Sequence, residues 1–121
     1  MKKYTKDHEW IELAGDSATV GISDHAQDAL GDIVFVELPA VGKSFAVGDE
    51  AAVIESVKAA GEVKNPAAGE IVAVNGQLTD NPGLINSAPE GDGWIYKIKL
   101  SDPSQLDGLM DAAAYQDYLN S

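Results

Sequence analysis

The sequence contains no cysteine and only two histidines, so several kinds of site are excluded at once. Without cysteine the chain can form neither disulfides nor thiolate metal sites. The two histidines could bind a metal only together with carboxylates, and their spacing does not match the zinc motifs. We therefore expect no metal site.

Positive charge is scarce as well. The eight basic residues are all lysine and face twenty acidic ones, which gives a net charge of −12. Phosphate recognition favours the guanidinium group of arginine, and a field this negative repels nucleic acid. We therefore expect no nucleic-acid partner. The acidity either steers the protein toward basic surfaces of partners or only keeps the chain in solution, and the sequence leaves both open.

Long apolar runs are missing too. No stretch approaches the ~20 apolar residues that cross a bilayer, and the N-terminus shows no signal or transit peptide. We expect a cytoplasmic, monomeric protein without membrane contact. Its 121 residues, 45% of them hydrophobic, predict one domain over 1–121 with a core over about 4–100.

The pattern along the chain predicts a mostly β fold with short helices. Ser23 as N-cap, Asp24 in the first turn and Gly31 at the end predict a short helix over 23–31. Residues 75–93 form a predicted turn-rich loop. Asp102 and Pro103 open a C-terminal helical segment over about 102–119. Strands are predicted over 10–14, 18–22, 33–38, 44–47, 70–74 and 94–100.

The C-terminal segment has a predicted apolar face and a possible restart. The apolar face is expected to run as one stripe through Leu106, Leu109, Met110 and Ala113. Asp111 could begin a second helical piece that continues through Tyr115 and Tyr118.

Lys58 stands at the centre of an evenly flanked segment. Gly48 lies ten residues before it and Gly69 eleven residues after it. Residues 50–63 fit a helical stripe as well as two strands, but their β-branched residues and flanking glycines favour strand–turn–strand. A lysine in such a turn is accessible for acylation, although a lone exposed lysine is ordinarily only a solvated charge. Without glycine or asparagine at 57–58, a two-residue type I′ turn is not expected.

The residues around Lys58 resemble a known attachment motif. Glu55, Ser56, Val57, Lys58 and Ala59 are similar to the lipoyl-attachment motif of the H protein of the glycine cleavage system. The resemblance runs from about Tyr4 to Tyr118, because further segments match the family in the same order: residues 8–10, 20–27, 30–39, 69–75, 84–87 and 93–98.

The resemblance implies a fold, a cofactor and a set of partners. The fold is the biotinyl/lipoyl-carrier fold, also called a barrel-sandwich hybrid, with a C-terminal helix. The cofactor is lipoate, linked covalently to Lys58 by a lipoyl ligase or transferase. The swinging arm would shuttle the aminomethyl group of glycine in one-carbon metabolism. Its partners would be a pyridoxal-phosphate glycine decarboxylase, a tetrahydrofolate-dependent aminomethyltransferase and dihydrolipoyl dehydrogenase.

The resemblance also assigns roles to carboxylates. Glu55 is part of what the lipoylating enzyme recognises, while Glu9 and Glu62 match acidic positions of a cleft that holds the protonated aminomethyl nitrogen. Gly61 departs from the serine often found there in the family. Biotin carriers place methionine on both sides of the lysine, and this sequence does not.

No catalytic pattern stands out, so we expect a carrier that is a substrate for other enzymes and not an enzyme itself. One alternative is an H-like protein that mainly relays lipoyl groups to other proteins. Another is an unmodified β-rich interaction module with an acidic docking surface.

Overall fold

The structure is a computed structural model and describes residues 2–120. Most of the regular structure is β, in short strands separated by tight turns. The strands are β1 (Lys2–Tyr4), β2 (Glu9–Ala14), β3 (Ser17–Ile22), β4 (Ile33–Glu37), β5 (Ser44–Phe45), β6 (Glu50–Ser56), β7 (Ala60–Lys64), β8 (Gly69–Val74) and β9 (Tyr96–Leu100).

The helices are short and lie between strands or at the C-terminus. They are α1 (Asp24–Leu30), α2 (Gln77–Asp80), α3 (Leu84–Ser87), a 3-10 helix (Pro103–Gly108) and α4 (Ala112–Leu119). None of the helices in residues 2–120 is long and apolar enough to span a bilayer.

Two antiparallel sheets enclose the core. The larger has the strand order β1-β2-β3-β9-β8-β5, and the smaller has the order β4-β6-β7. Val20, Ile71 and Ile98 of the larger sheet and Ile54 and Val63 of the smaller one are buried in one cluster. The predicted two-sheet carrier fold is therefore confirmed, with the C-terminal helix in place.

The N-terminal predictions are confirmed in detail. β2 and β3 form the predicted hairpin, and Gly15 takes the turn with φ 68°, a conformation that suits glycine. In α1 the Ser23 hydroxyl accepts a hydrogen bond from the Ala26 amide at 3.2 Å. At the other end, the Gly31 amide donates to the Gln27 carbonyl with φ 81°.

Three predicted elements differ from the structure. The strand expected over 44–47 is only Ser44–Phe45, and the last strand begins at Tyr96 and not at Trp94. The loop over 75–93 contains α2 and α3. Each of these helices has four residues and no side-chain N-cap, so neither leaves a helical signature in the sequence.

The C-terminal segment is not one continuous helical stripe. The chain breaks between the 3-10 helix and α4, where Tyr4 and Met110 exchange backbone hydrogen bonds of 2.7 and 3.0 Å. The prediction that Ala113 belongs to the apolar face is wrong, because Ala113 is exposed and Tyr115 is the buried residue of α4. Asp111 does restart the helix, with its carboxylate accepting from the Ala114 amide at 2.8 Å.

We predict that Gly21→Ala destabilises the protein. Gly21 lies opposite Trp10 in the β2–β3 hairpin, and a Cβ there would lie 2.7 Å from the indole Nε1. That nitrogen is held by the Pro89 carbonyl at 2.9 Å, so the ring has little freedom to move away. Overpacking of this kind costs about 1–3 kcal/mol of unfolding free energy.

The check is urea unfolding of Gly21→Ala beside Gly76→Ala, where an added Cβ meets nothing within 4 Å. An equal midpoint for the two variants would show that Trp10 relaxes without cost.

Candidate functional site

Lys58 lies in the loop between β6 and β7, which we call the Lys58 loop (residues 57–59). The strands pair up to Glu55 opposite Ala60, and the Ser56 amide donates to the Ala59 carbonyl at 2.8 Å. The predicted strand–turn–strand is therefore confirmed. His8 is the sole non-glycine residue with positive φ in residues 2–120, which excludes a type I′ turn at Lys58.

The hydroxyl of Ser56 organises this loop. It accepts from the amides of Lys58 and Ala59 at 3.2 and 3.1 Å, and it donates to the Ala59 carbonyl at 3.0 Å. A serine hydroxyl that hydrogen-bonds to the backbone amides of the next residues stabilises a turn that contains no glycine. The loop thus exposes the Lys58 side chain on an ordered backbone.

A second loop, residues 31–32 between α1 and β4, lies against the Lys58 loop. The Val57 amide donates to the Asp32 carbonyl at 3.0 Å. The stem of Lys58 runs over Gly31, because a Cβ built on Gly31 would lie 3.3 Å from Lys58 Cε and 3.8 Å from Nζ. Gly31 therefore leaves room for the lysine stem as well as ending α1.

Asn86 in α3 fixes the 31–32 loop from the inside. Its carbonyl oxygen accepts from the Ile33 amide at 2.8 Å. Its amide nitrogen donates to the Gly31 carbonyl at 2.9 Å and to the Gln27 side chain at 3.0 Å. A chain of hydrogen bonds thus connects α3, the end of α1 and the backbone next to Lys58.

A cleft of about 240 Å³ opens beside the Lys58 loop, between α1 and β7. We call it the arm cleft. Its apolar walls come mainly from α1 and the two sheets, and its polar groups come from the segment before β2, from the start of β2 and from β7. The lining residues are Asp7, His8, Glu9, Ile22, Ala26, Ala29, Leu30, Ile54, Gly61, Glu62 and Val63.

Gly61 widens this cleft. A Cβ at Gly61 would sit 3.6 Å from Leu30 Cδ2, which is ordinary van der Waals contact, so a larger residue there fits without displacing the backbone. The glycine that departs from the family pattern therefore leaves more open space at the wall.

Glu9 is buried and lines the arm cleft, although an ordinary glutamate is solvated. It is 3% exposed. The Thr5 hydroxyl donates to its carboxylate at 2.7 Å, and the backbone of Lys64 provides another hydrogen bond. Desolvation outweighs these bonds and raises the pKa of Glu9 to about 7.

The loop over residues 5–9 sets the position of Glu9. The Thr5 hydroxyl accepts from the amides of Asp7 and Glu9, both at 3.2 Å. His8 has φ 69°, a left-handed conformation that non-glycine residues rarely adopt. Its Nδ1 lies 2.7 Å from the Tyr115 hydroxyl, so α4 holds the residue next to Glu9 in this conformation.

The Tyr115 hydroxyl also connects α4 to the start of α1. It lies 2.8 Å from the hydroxyl of Ser23. The ring of His25 packs against that of His8, with 4.7 Å between the centroids and the planes tilted by 41°. Burial, followed by the neighbouring His25, lowers the pKa of His8, so the His8 ring is neutral near physiological pH.

Glu62 lies on the rim of the arm cleft, but its carboxyl group lies beside that of Glu50 on the outer face of the small sheet. The hydrogen bond and the repulsion between the two groups raise the pKa of Glu50. Glu55 is exposed on the same sheet, opposite Phe35. Of the two predicted cleft carboxylates, Glu9 is therefore the buried one.

Some functional candidates have no separate signal in the sequence. Asn86, Thr5 and Tyr115 act through contacts between residues that are distant in sequence. The one indication for Asn86 in the sequence is its place in residues 84–87, a segment that resembles the family. Within residues 2–120, no group of three or more His, Asp or Glu side chains is arranged to hold a metal ion.

Comparisons with known proteins agree with this geometry. The family model described as "Glycine cleavage H-protein" matches residues 2–121. A glycine cleavage system H protein of Xanthobacter autotrophicus is 58% identical over 119 residues, covering 98% of this chain and 95% of that protein. One from Escherichia coli O139:H28 is 55% identical over 118 residues, covering 97% and 92%.

A solved structure gives the same result. The crystal structure of a glycine cleavage system H protein from Mycobacterium marinum superimposes with a TM-score of 0.91 at 36% identity, covering 99% of this chain and 97% of that one. The two-sheet fold and the near-complete coverage of sequence and structure leave one assignment: the chain belongs to the glycine cleavage H-protein family, and it is a carrier and not an enzyme.

Proposed function

We propose that Lys58 carries a covalently attached lipoyl group and that the protein serves glycine cleavage through this arm. The observation that carries the proposal is the ordered, exposed loop at Lys58, held by Ser56 and by the Asp32 carbonyl. Lys64 is already part of a paired strand, and Lys43 lies beside the short β5, so neither has this setting.

The lysine amine supplies the attachment chemistry. The deprotonated Nζ of Lys58 attacks the carbonyl carbon of an activated lipoyl group and forms an amide. The activating group leaves with its bonding pair, and the amine loses its second proton to solvent. The charge of Lys58 disappears in this step, as it does in any acylation of lysine.

The arm cleft fits such a group. Its apolar walls suit an alkyl stem, and its buried Glu9 suits a cationic nitrogen at the far end. A lipoyl group bound at Lys58 would supply a dithiolane that accepts and passes on the aminomethyl group of glycine. Glu9 would hold an ammonium by roughly 1.5–3 kcal/mol, the range for hydrogen bonds to charged groups. Glu62 lies at the rim with its carboxyl group beside Glu50, so Glu9 is the carboxyl group proposed to hold the cation.

The partners follow from this role. We propose a glycine decarboxylase, an aminomethyltransferase and a dihydrolipoyl dehydrogenase as the enzymes that the arm visits, and a lipoyl ligase or transferase as the enzyme that loads it. Family membership and the site at Lys58 support these partners. The residues of this chain bind, orient and shield the arm, while the enzymes supply the catalysis.

We predict that Lys58→Arg folds normally and fails to support glycine cleavage. Arginine keeps the charge but cannot be acylated in this way. The measurement is glycine-dependent release of carbon dioxide in a reconstituted mixture of the partner enzymes, with Lys64→Arg as the control. Activity of Lys58→Arg equal to that of Lys64→Arg would place the arm elsewhere.

Glu55→Ala is predicted to slow lipoylation several-fold and to leave the unfolding free energy within about 0.5 kcal/mol. Its carboxylate is exposed beside the Lys58 loop, so an approaching enzyme meets it before it meets the core. Initial ligation rates are compared with those of Glu70→Ala, an exposed carboxylate on β8. Equal rates for both variants would leave Glu55 with no part in recognition.

The stability of the protein should depend on pH through Glu9. Its pKa is about 7 in the folded state and near 4.5 when unfolded, so between these values the folded protein binds the extra proton. Stability therefore falls as the pH rises through this window, by on the order of 3 kcal/mol from this group. Glutamine at position 9 does not titrate. Between pH 4.5 and pH 8, the unfolding free energy of Glu9→Gln should therefore rise relative to that of wild type by the same amount.

The measurement is urea unfolding of wild type, Glu9→Gln and Glu70→Gln across that range. Parallel curves for wild type and Glu9→Gln would contradict the burial of an ionisable carboxylate at this site.

A further inference from the structure

An apolar patch of exposed side chains lies next to the Lys58 loop. Val34 and Phe35 of β4 are 55% and 50% exposed, and Val57 of the Lys58 loop is 66% exposed. The Asp32 carbonyl accepts from the Val57 amide, and Phe35 faces Glu55 across the strands, so the segment with Val34 and Phe35 lies alongside the segment that leads into Lys58. We call these three residues the apolar patch.

The patch results from an irregularity in the sheet. The register between β4 and β6 shifts between Ile33 and Phe35, so Ile33 and Val36 are both buried. In a regular strand, residues three apart would face opposite sides. The bulge places one extra residue in β4, and the side chains of Val34 and Phe35 both point to solvent. Bulges next to functional sites often redirect side chains in this way.

Acidic side chains surround the patch. Asp32, Glu37 and Glu55 are exposed, and within residues 2–120 no lysine side chain forms a salt bridge with any of them. An apolar centre with a charged rim is the arrangement of a protein–protein interface. The rim selects a partner whose surface is basic. β4 is the first strand of its sheet, and Val34 and Phe35 are its exposed apolar residues.

We propose that the apolar patch and its acidic rim form the docking surface for the enzyme that acylates Lys58. This inference rests on the proposed lipoylation. That enzyme must bring Nζ of Lys58 into its own active site, so its surface has to contact the residues beside the loop. Enzymes that act at the far end of the arm work many bonds away from Nζ and do not need this contact. The partner surface is an apolar pocket bordered by lysine or arginine.

The test uses the full chain without its lipoyl group, a lipoate–protein ligase, lipoate and ATP. Val34→Thr/Phe35→Thr removes the centre of the patch and places threonine, a residue that favours strands, at both positions. The control is Val41→Thr/Val47→Thr, which changes two valines that are 60% and 54% exposed outside β4 and the Lys58 loop. KM for the acceptor protein and kcat are measured separately.

We expect KM to rise at least tenfold for the patch variant, with kcat within about threefold, and both constants within about twofold for the control. Asp32→Asn/Glu37→Gln should raise KM as well and should flatten its dependence on salt, because screening acts on the rim. Thermal midpoints show whether the variants are folded. Val57→Thr, measured alone, should raise KM in the same direction.

Equal KM values for the patch and control variants would overturn the docking surface while leaving lipoylation of Lys58 intact. A wild-type chain that the ligase does not acylate at Lys58 would overturn the proposed function as well. Unchanged ligation together with slower aminomethyltransferase turnover would also contradict the inference. The inference would also be contradicted if wild type sediments as a dimer, the patch variant sediments as a monomer and the ligation constants are unchanged, because the patch would then be a contact between two copies of this chain.

Discussion

The antiparallel pairing of β4 with β6 is the constraint on which the site depends. It continues into the bond between the Val57 amide and the Asp32 carbonyl, which holds the Lys58 loop against the end of α1. The register shift in the same pairing turns Phe35 to solvent beside that loop. Presentation of the lysine and exposure of the adjacent apolar surface thus follow from one piece of backbone geometry, which Asn86 supports from α3.

The arm cleft depends on a second, longer-range arrangement. Glu9 keeps an ionisable carboxyl group out of water because Thr5 and the Lys64 backbone bond to it and because α4 holds His8 in a left-handed conformation. Such a group costs stability at neutral pH, where its charged form is deprived of water. A carboxyl group with a pKa near 7 changes charge readily when a cation arrives, which would suit the proposed binding and release of the arm.

Local chemistry made the N-terminal hairpin, α1 and the β6–β7 hairpin predictable. Glycine in a turn, serine as an N-cap and β-branched residues around Lys58 each act over a few residues. The restart of the helix at Asp111 has a local signal as well, but the pairing of Met110 with Tyr4 does not, because the two residues are far apart in sequence. The burial of Glu9 depends likewise on Thr5, β7 and α4, and the outward side chain of Phe35 depends on a bulge that only the partner strand defines.

The measurement that tests the account most directly is the mass of the protein purified from its own host, intact and after proteolysis. The account predicts one added lipoyl group per chain, on the peptide that contains Lys58 and on no other lysine. An unmodified chain, or a lipoyl group on Lys43 or Lys64, would contradict it.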